Sequence, residues 1–213
     1  TRSGVMSSVH SFTASSLGPI FLTFVFLILI VSFSLMYVRR SELRSKKRME
    51  SFTSRESGFL FNNLVFVVMC FAVLWGTLFP VISEAVRGTK ITVGPPFFNQ
   101  INVPIGLILL ALTGIGPLLA WRNTSKQSLI KNFTFPIFSG LIAAALFMAI
   151  GFKGSVVISF SLSVFVLATI TTEFKRGIRA RTKKFSESIF KALFIMVSKN
   201  RSRYGGYIVH VGI

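Results

Sequence analysis

The sequence has 213 residues, of which 52% are hydrophobic and 14% charged, whereas a soluble domain carries about 25% charged residues. With a mean hydropathy of +0.69, so much apolar surface cannot be hidden in one water-soluble core of this size, which excludes soluble globular and disordered chains. The 24 Lys and Arg face only six acids, all of them Glu. These charges lie between apolar runs, so membrane orientation explains them and nucleic acid is not an expected partner.

In chain order, the stretch TRSGVMSSVHSF precedes a first apolar run at 17–38. Further runs follow at 59–82, 103–121, 133–152 and 156–172, and a sixth begins near Tyr204 and is cut at Ile213. Each of the first five approaches the roughly 20 apolar residues that a spanning helix needs. The runs are continuous rather than alternating, and backbone groups in hydrocarbon must bond internally, so helices are expected and strands are not. The expected fold is all-α: a polytopic transmembrane bundle, residues 1–213 forming one membrane domain with five complete spans and the start of a sixth. Thr1 is not an initiator, so the sequence is expected to be an excerpt of a longer chain.

The connections set the orientation. Segments 39–58, 122–132 and 173–203 hold 20 of the 24 basic residues, and the other side holds four. The positive-inside rule puts those three segments in the cytoplasm or its equivalent. The amino end, segment 83–102 and the turn at Lys153 then face outward. The N-x-Ser/Thr matches at Asn123, Asn132 and Asn200 fall on the cytoplasmic side and are read as chance.

Within 173–203, the stretch KKFSESIFKALFIMV at 183–197 repeats Phe185, Ile189, Leu193 and Met196 at helical spacing. It is expected to be an interfacial amphipathic helix, or else a helix packed on a further domain. Pro80 and Pro117 are expected to bend their spans. Gly114 and Gly116 favour close helix packing. The Pro95-Pro96-Phe97-Phe98 run is expected to brace the loop at 83–102. Cys70 is expected to be a buried small hydrophobe, with no partner for a disulfide.

Chemistry has few places to reside. Two histidines, no Asp and one thiol do not assemble a Ser-His-Asp triad or a four-ligand zinc site within the chain. No G-x-x-x-x-G-K-[ST] loop occurs, which disfavours an ATP-driven pump. His10 lies in the outward amino-terminal stretch. His210 lies six residues into the last apolar run, about 9 Å along the axis from Tyr204. An ionisable ring at that depth usually marks a ligand site or a proton path. Imidazole is a common axial ligand of haem iron. One histidine cannot complete a bis-His site, so a second ligand would come from outside this sequence. A transporter or channel fragment with His210 in a polar path remains open from the residues alone, as does a structural membrane subunit.

TRSGVMSSVHSF, SRESGFLFNN at 54–63, WGTLFP at 75–80, ITVGPPFFN at 91–99 and RYGGYIVHVG at 203–212 resemble, in the same order, blocks of the CcmF family, the haem lyase component of cytochrome c maturation. The resemblance covers essentially the whole sequence. It implies an integral protein of the bacterial inner membrane, or of the mitochondrial inner membrane if organellar. Its partners would be the remaining part of the haem lyase, the haem chaperone CcmE, other maturation subunits such as CcmH, apocytochrome c and membrane lipid. It implies that haem is attached covalently to a Cys-x-x-Cys-His motif of apocytochrome c. His10 would be the catalytic residue and an axial ligand of the transferred haem, and His210 an axial ligand of a separate b-type haem. The family's tryptophan-rich motif is absent, since Trp75 and Trp121 are far apart in sequence. The first member of each histidine pair is absent too. The chain is therefore expected to correspond to the carboxy-terminal part of a haem lyase and not to act alone.

Overall fold

A computed structural model describes residues 17–44, 51–121 and 123–212. The elements, in order, are α1 (Leu17–Val38), α2 (Arg40–Leu43), α3 (Arg55–Arg87), α4 (Pro95–Ile115), a 3-10 turn (Gly116–Leu118), α5 (Lys126–Ala149), α6 (Ser155–Phe185), α7 (Ile189–Lys199) and α8 (Arg201–Gly212). No strand occurs among the described residues. Among the described residues, four stretches are long and apolar enough to cross a membrane: Arg55–Arg87, Pro95–Leu118, Lys126–Ala149 and Ser155–Phe185. α1 runs over 22 residues, of which Thr23–Val38 is the apolar stretch among the described residues, so four of the five expected complete spans are supported.

The chain divides into two compact units, Thr1–Arg48 with Leu74–Gly94 and Met49–Val73 with Pro95–Ile213. The boundary falls inside α3, after Val73. In the first unit, the loop after α3 is tied back to its helix. Ser83 donates its hydroxyl to the Pro80 carbonyl at 2.9 Å and accepts the Ile91 N–H at 3.0 Å. Gly88 takes φ 68° there, a left-handed turn that a side chain would strain.

The second unit is built around α6. Its buried face carries Val157, Phe165, Val166, Ala168, Thr169, Ile170 and Glu173, a stripe at helical spacing. Lipid is as apolar as these side chains, so close packing rather than water exclusion must hold the helices together. Glycines provide that closeness. A Cβ on Gly114 of α4 would meet the Phe165 ring, and one on Gly140 of α5 would lie 3.3 Å from Phe165 Cβ and from the Ser161 carbonyl. On α6 itself, a Cβ at Gly177 would meet Met196 of α7 and Tyr204 of α8. Four hydroxyls inside the spans return to their own helix, Thr113, Ser161, Ser163 and Thr172 each donating to the carbonyl four residues back, whereas the buried Thr169 hydroxyl has no partner among the described residues. Water is absent at that depth, so this bonding removes the cost of unpaired hydroxyls at those four positions.

Several sequence expectations are corrected. Pro117 is not inside an α-helix but near the end of the span Pro95–Leu118. It stands in the 3-10 turn, and α4 has already ended at Ile115. Pro104 and Pro136 are the prolines inside α4 and α5. The Pro95-Pro96-Phe97-Phe98 run is not loop but the first turn of α4, where proline loses no helical hydrogen bond. Cys70 is exposed on α3 rather than buried, because the middle of that helix is apolar all round and little covers it. The stretch 183–197 is not one helix. Lys183, Lys184 and Phe185 end α6, Ser186 turns left-handed at φ 50°, and Ser188 caps α7 by accepting the Lys191 N–H. Arg181 clamps the corner, donating to both Glu187 carboxylate oxygens at 2.6 and 3.1 Å. This contact, opposed by partial burial, holds the Glu187 carboxyl below the usual glutamate range. On α7, Ala192 and Met196 are buried, while Phe190 and Phe194 are exposed.

Candidate functional site

His210 stands on α8, three residues after buried Tyr207. Arg203, Gly206, Tyr207 and His210 fall at helical spacing on one stripe of that helix and form one wall of a cleft of about 390 Å³. The other walls come from the start of α3, with Arg55, Phe59, Asn62 and Phe66, and from the end of α4, with Leu109, Leu112 and Thr113. The lining is mainly apolar, with Arg55, Arg203 and Asn62 as its strongest donors. Gly58, Gly116 and Gly206 also line the cleft, and no atom lies within 4 Å of where a Cβ would sit on any of them. Part of its breadth therefore exists because three wall positions lack side chains.

The two guanidiniums are fixed differently. Arg55 donates to the Pro117 carbonyl at 2.8 Å and to the Gly116 carbonyl at 3.4 Å, both in the 3-10 turn after α4, where the Gly116 carbonyl also accepts the Leu119 N–H at 3.3 Å. Arg203 donates through Nη2 to Glu173 and through Nε to the Tyr207 hydroxyl at 3.2 Å. Glu173 has a side chain only 4% exposed and also accepts from Arg176 at 2.8 Å. A buried carboxylate is costly unless paired, and two guanidiniums supply the pairing. Tyr204 and Tyr207 pack edge-on with Phe174 at ring distances of 5.1 and 6.4 Å, which seats α8 on α6.

The structure thus places His210 on a cleft wall, exposed on this chain rather than enclosed. His10 lies outside the described residues. Among the described residues, no three His, Cys, Asp or Glu side chains come together in a manner that would hold a metal ion. Sequence reasoning missed Arg55, Glu173 and Arg203. Glu173 was hidden inside a connection counted only for its basic residues, although its i, i+3 spacing to Arg176 was visible.

No family model and no solved structure matches the chain. Curated relatives match along all of it. The cytochrome c-type biogenesis protein CcmF of Pseudomonas fluorescens is 33% identical over 217 residues, covering 100% of this chain and 31% of its own length. CcmF of Pseudomonas aeruginosa is 33% identical over 221 residues, with 100% and 31% covered. The cytochrome c-type biogenesis protein CycK of Bradyrhizobium diazoefficiens is 28% identical over 214 residues, with 100% and 32% covered. The chain spans about a third of the length of these curated relatives. It is a partial-length relative of the CcmF and CycK family of cytochrome c-type biogenesis proteins.

Proposed function

We propose that this chain is part of a cytochrome c maturation haem lyase in a bacterial or mitochondrial inner membrane, with α1 as a further span. In this reading it acts with the rest of the lyase, with CcmE, with CcmH and with apocytochrome c. The observation that carries the proposal is the position of His210 in a mainly apolar cleft that also holds two guanidiniums. Such a cleft fits a haem. The ring faces need apolar walls, the iron needs an imidazole, and the propionates need cations. The three glycine positions supply room that side chains would occupy. The relatives are biogenesis proteins by name, which favours this reading over a transporter or a purely structural subunit.

The roles of the chain's own residues follow. His210 would hold the haem iron through an imidazole nitrogen, with any further ligand coming from elsewhere in the lyase. Phe59, Phe66, Leu109 and Leu112 exclude water from the ring faces. Arg55 and Arg203, already anchored to carbonyls and to Glu173, present cations without having to reorganise. A bound b-type haem supplies one-electron chemistry. The transferred haem is the substrate, and His10 holds it on the outward side while thioether bonds form to the apocytochrome cysteines.

The test uses the whole lyase assembly. His210→Ala is expected to remove or perturb the b-type absorption, and His210→Gly with added imidazole to restore part of it. An unchanged spectrum in His210→Ala defeats the ligand role. His10→Ala is expected to abolish holocytochrome formation while keeping the b-type absorption, and normal cytochrome yield in that variant removes His10 from the mechanism.

A further inference from the structure

A second cavity, of about 430 Å³, lies beside Arg55 and Arg203 and is lined by a different set of groups. It adds Arg176, Glu173, Thr124, Ser125, Ser128 and Asn132. Three guanidiniums thus face one carboxylate, so the pocket keeps an excess of positive charge after its internal pairing. The named contacts of Arg176 use Nη1, and those of Arg203 use Nε and Nη2. The remaining guanidinium edges are available to an acceptor from outside, and the Arg176 side chain is 54% exposed. The pocket also receives the amino-terminal end of the 24-residue helix α5, capped by Ser125, whose dipole favours an anion.

Its depth argues for the kind of anion. Glu173 directly follows the apolar run 156–172 of α6, Arg55 lies just before the run 59–82 of α3, and Arg203 stands at the start of the last run. All three therefore sit where spans end on the side rich in Lys and Arg. Basic pockets between spans on that side are the usual seats of phosphate headgroups, and planar guanidiniums pair with phosphate oxygens two at a time.

We propose that this pocket binds a phosphate group at headgroup depth, carried by an anionic phospholipid or supplied as free phosphate. The pocket does not depend on the haem reading, because neither Arg176 nor Ser128 lines the cleft that holds His210. The experiment is native mass spectrometry of the chain within its membrane assembly, released in a non-ionic detergent. Phosphatidylglycerol, inorganic phosphate and diacylglycerol are titrated separately. The expected result is one bound phosphatidylglycerol, with occupancy reduced at least fivefold in Arg176→Gln, which keeps the Glu173–Arg203 pair. Ser128→Phe, which fills the pocket without changing its charge, is expected to reduce occupancy as much. Inorganic phosphate that binds alone with the same dependence on both positions identifies the free anion as the source and keeps the site. Binding of diacylglycerol equal to that of phosphatidylglycerol, or wild-type phosphatidylglycerol and phosphate binding in both variants, overturns the proposal.

Discussion

Two cavities of similar size meet at Arg55, Pro117 and Arg203, yet they differ in almost everything else. The cleft toward His210 is walled by Phe, Leu and glycine. The pocket toward α5 is walled by Ser, Thr, Asn and a third arginine, together with the apolar stretch from Pro117 to Trp121. The same two guanidiniums therefore face an apolar space on one side and a polar space on the other. The difference shows that an arginine's role at a membrane boundary is set by what shares its cavity. It also shows why Glu173 matters to both, since it fixes Arg203 between them.

The largest way to break the comparison is Glu173→Ala. It leaves Arg203 and Arg176 without their buried partner and is expected to cost about 2 kcal/mol, less than a fully buried pair because both arginine side chains are about half exposed. Thermal unfolding of the assembly in detergent measures this, and both cavities should lose their ligands together. Wild-type stability in that variant would mean that the pair does not organise α6 against α8.

Next come two glycines that receive the same methyl group with opposite outcomes. Gly114→Ala drives a Cβ into the Phe165 ring and is expected to destabilise by about 2 kcal/mol, as overpacking does. Gly206→Ala meets nothing within 4 Å. It is expected to gain about 0.5 kcal/mol from helix propensity, while narrowing the cleft and weakening the b-type absorption. Measured side by side, equal stability changes would show that open space at the His210 wall is not what separates these two positions.

The smallest effect lies at the α6–α7 corner. The hydrogen bonds from Arg181 depress the Glu187 carboxyl. A depressed carboxyl stabilises the folded state above its unfolded value, about pH 4.3, and that contribution is lost as pH falls through the lower folded value. Glu187→Gln should flatten this acid limb by lowering stability slightly above about pH 5, where the contribution is present, and leave stability at the acid end nearly unchanged. An acid limb identical to the wild type would remove Glu187 from the account.

The helices of the bundle were legible because apolar runs of spanning length admit one local solution in lipid. Their ends were less so. The run 103–121 hid a helix that starts at Pro95 and stops at Ile115, since proline is favourable at a first turn and unfavourable within one. The position of His210 on a cleft wall follows from its spacing to Arg203 and Tyr207, which the sequence displays. The pairing of Glu173 with Arg203 spans 30 residues, and no local pattern announces a contact between the interior of one helix and the start of another. The split of 183–197 turned on Ser186 taking a left-handed conformation, which a serine rarely adopts and which sequence patterns do not flag.

Gly177 carries a consequence of its own. Its missing side chain is where Met196 of α7 and the Tyr204 hydroxyl of α8 both arrive. The surface helix and the helix bearing His210 therefore meet α6 at one common point, beside their other contacts with it. A side chain at position 177 would meet the Met196 sulfur and the Tyr204 hydroxyl together, so side chains of two helices would have to shift to admit it. The exposed Phe190 and Phe194 on one helix and His210 on the other are thereby held in register by an atom that is not there.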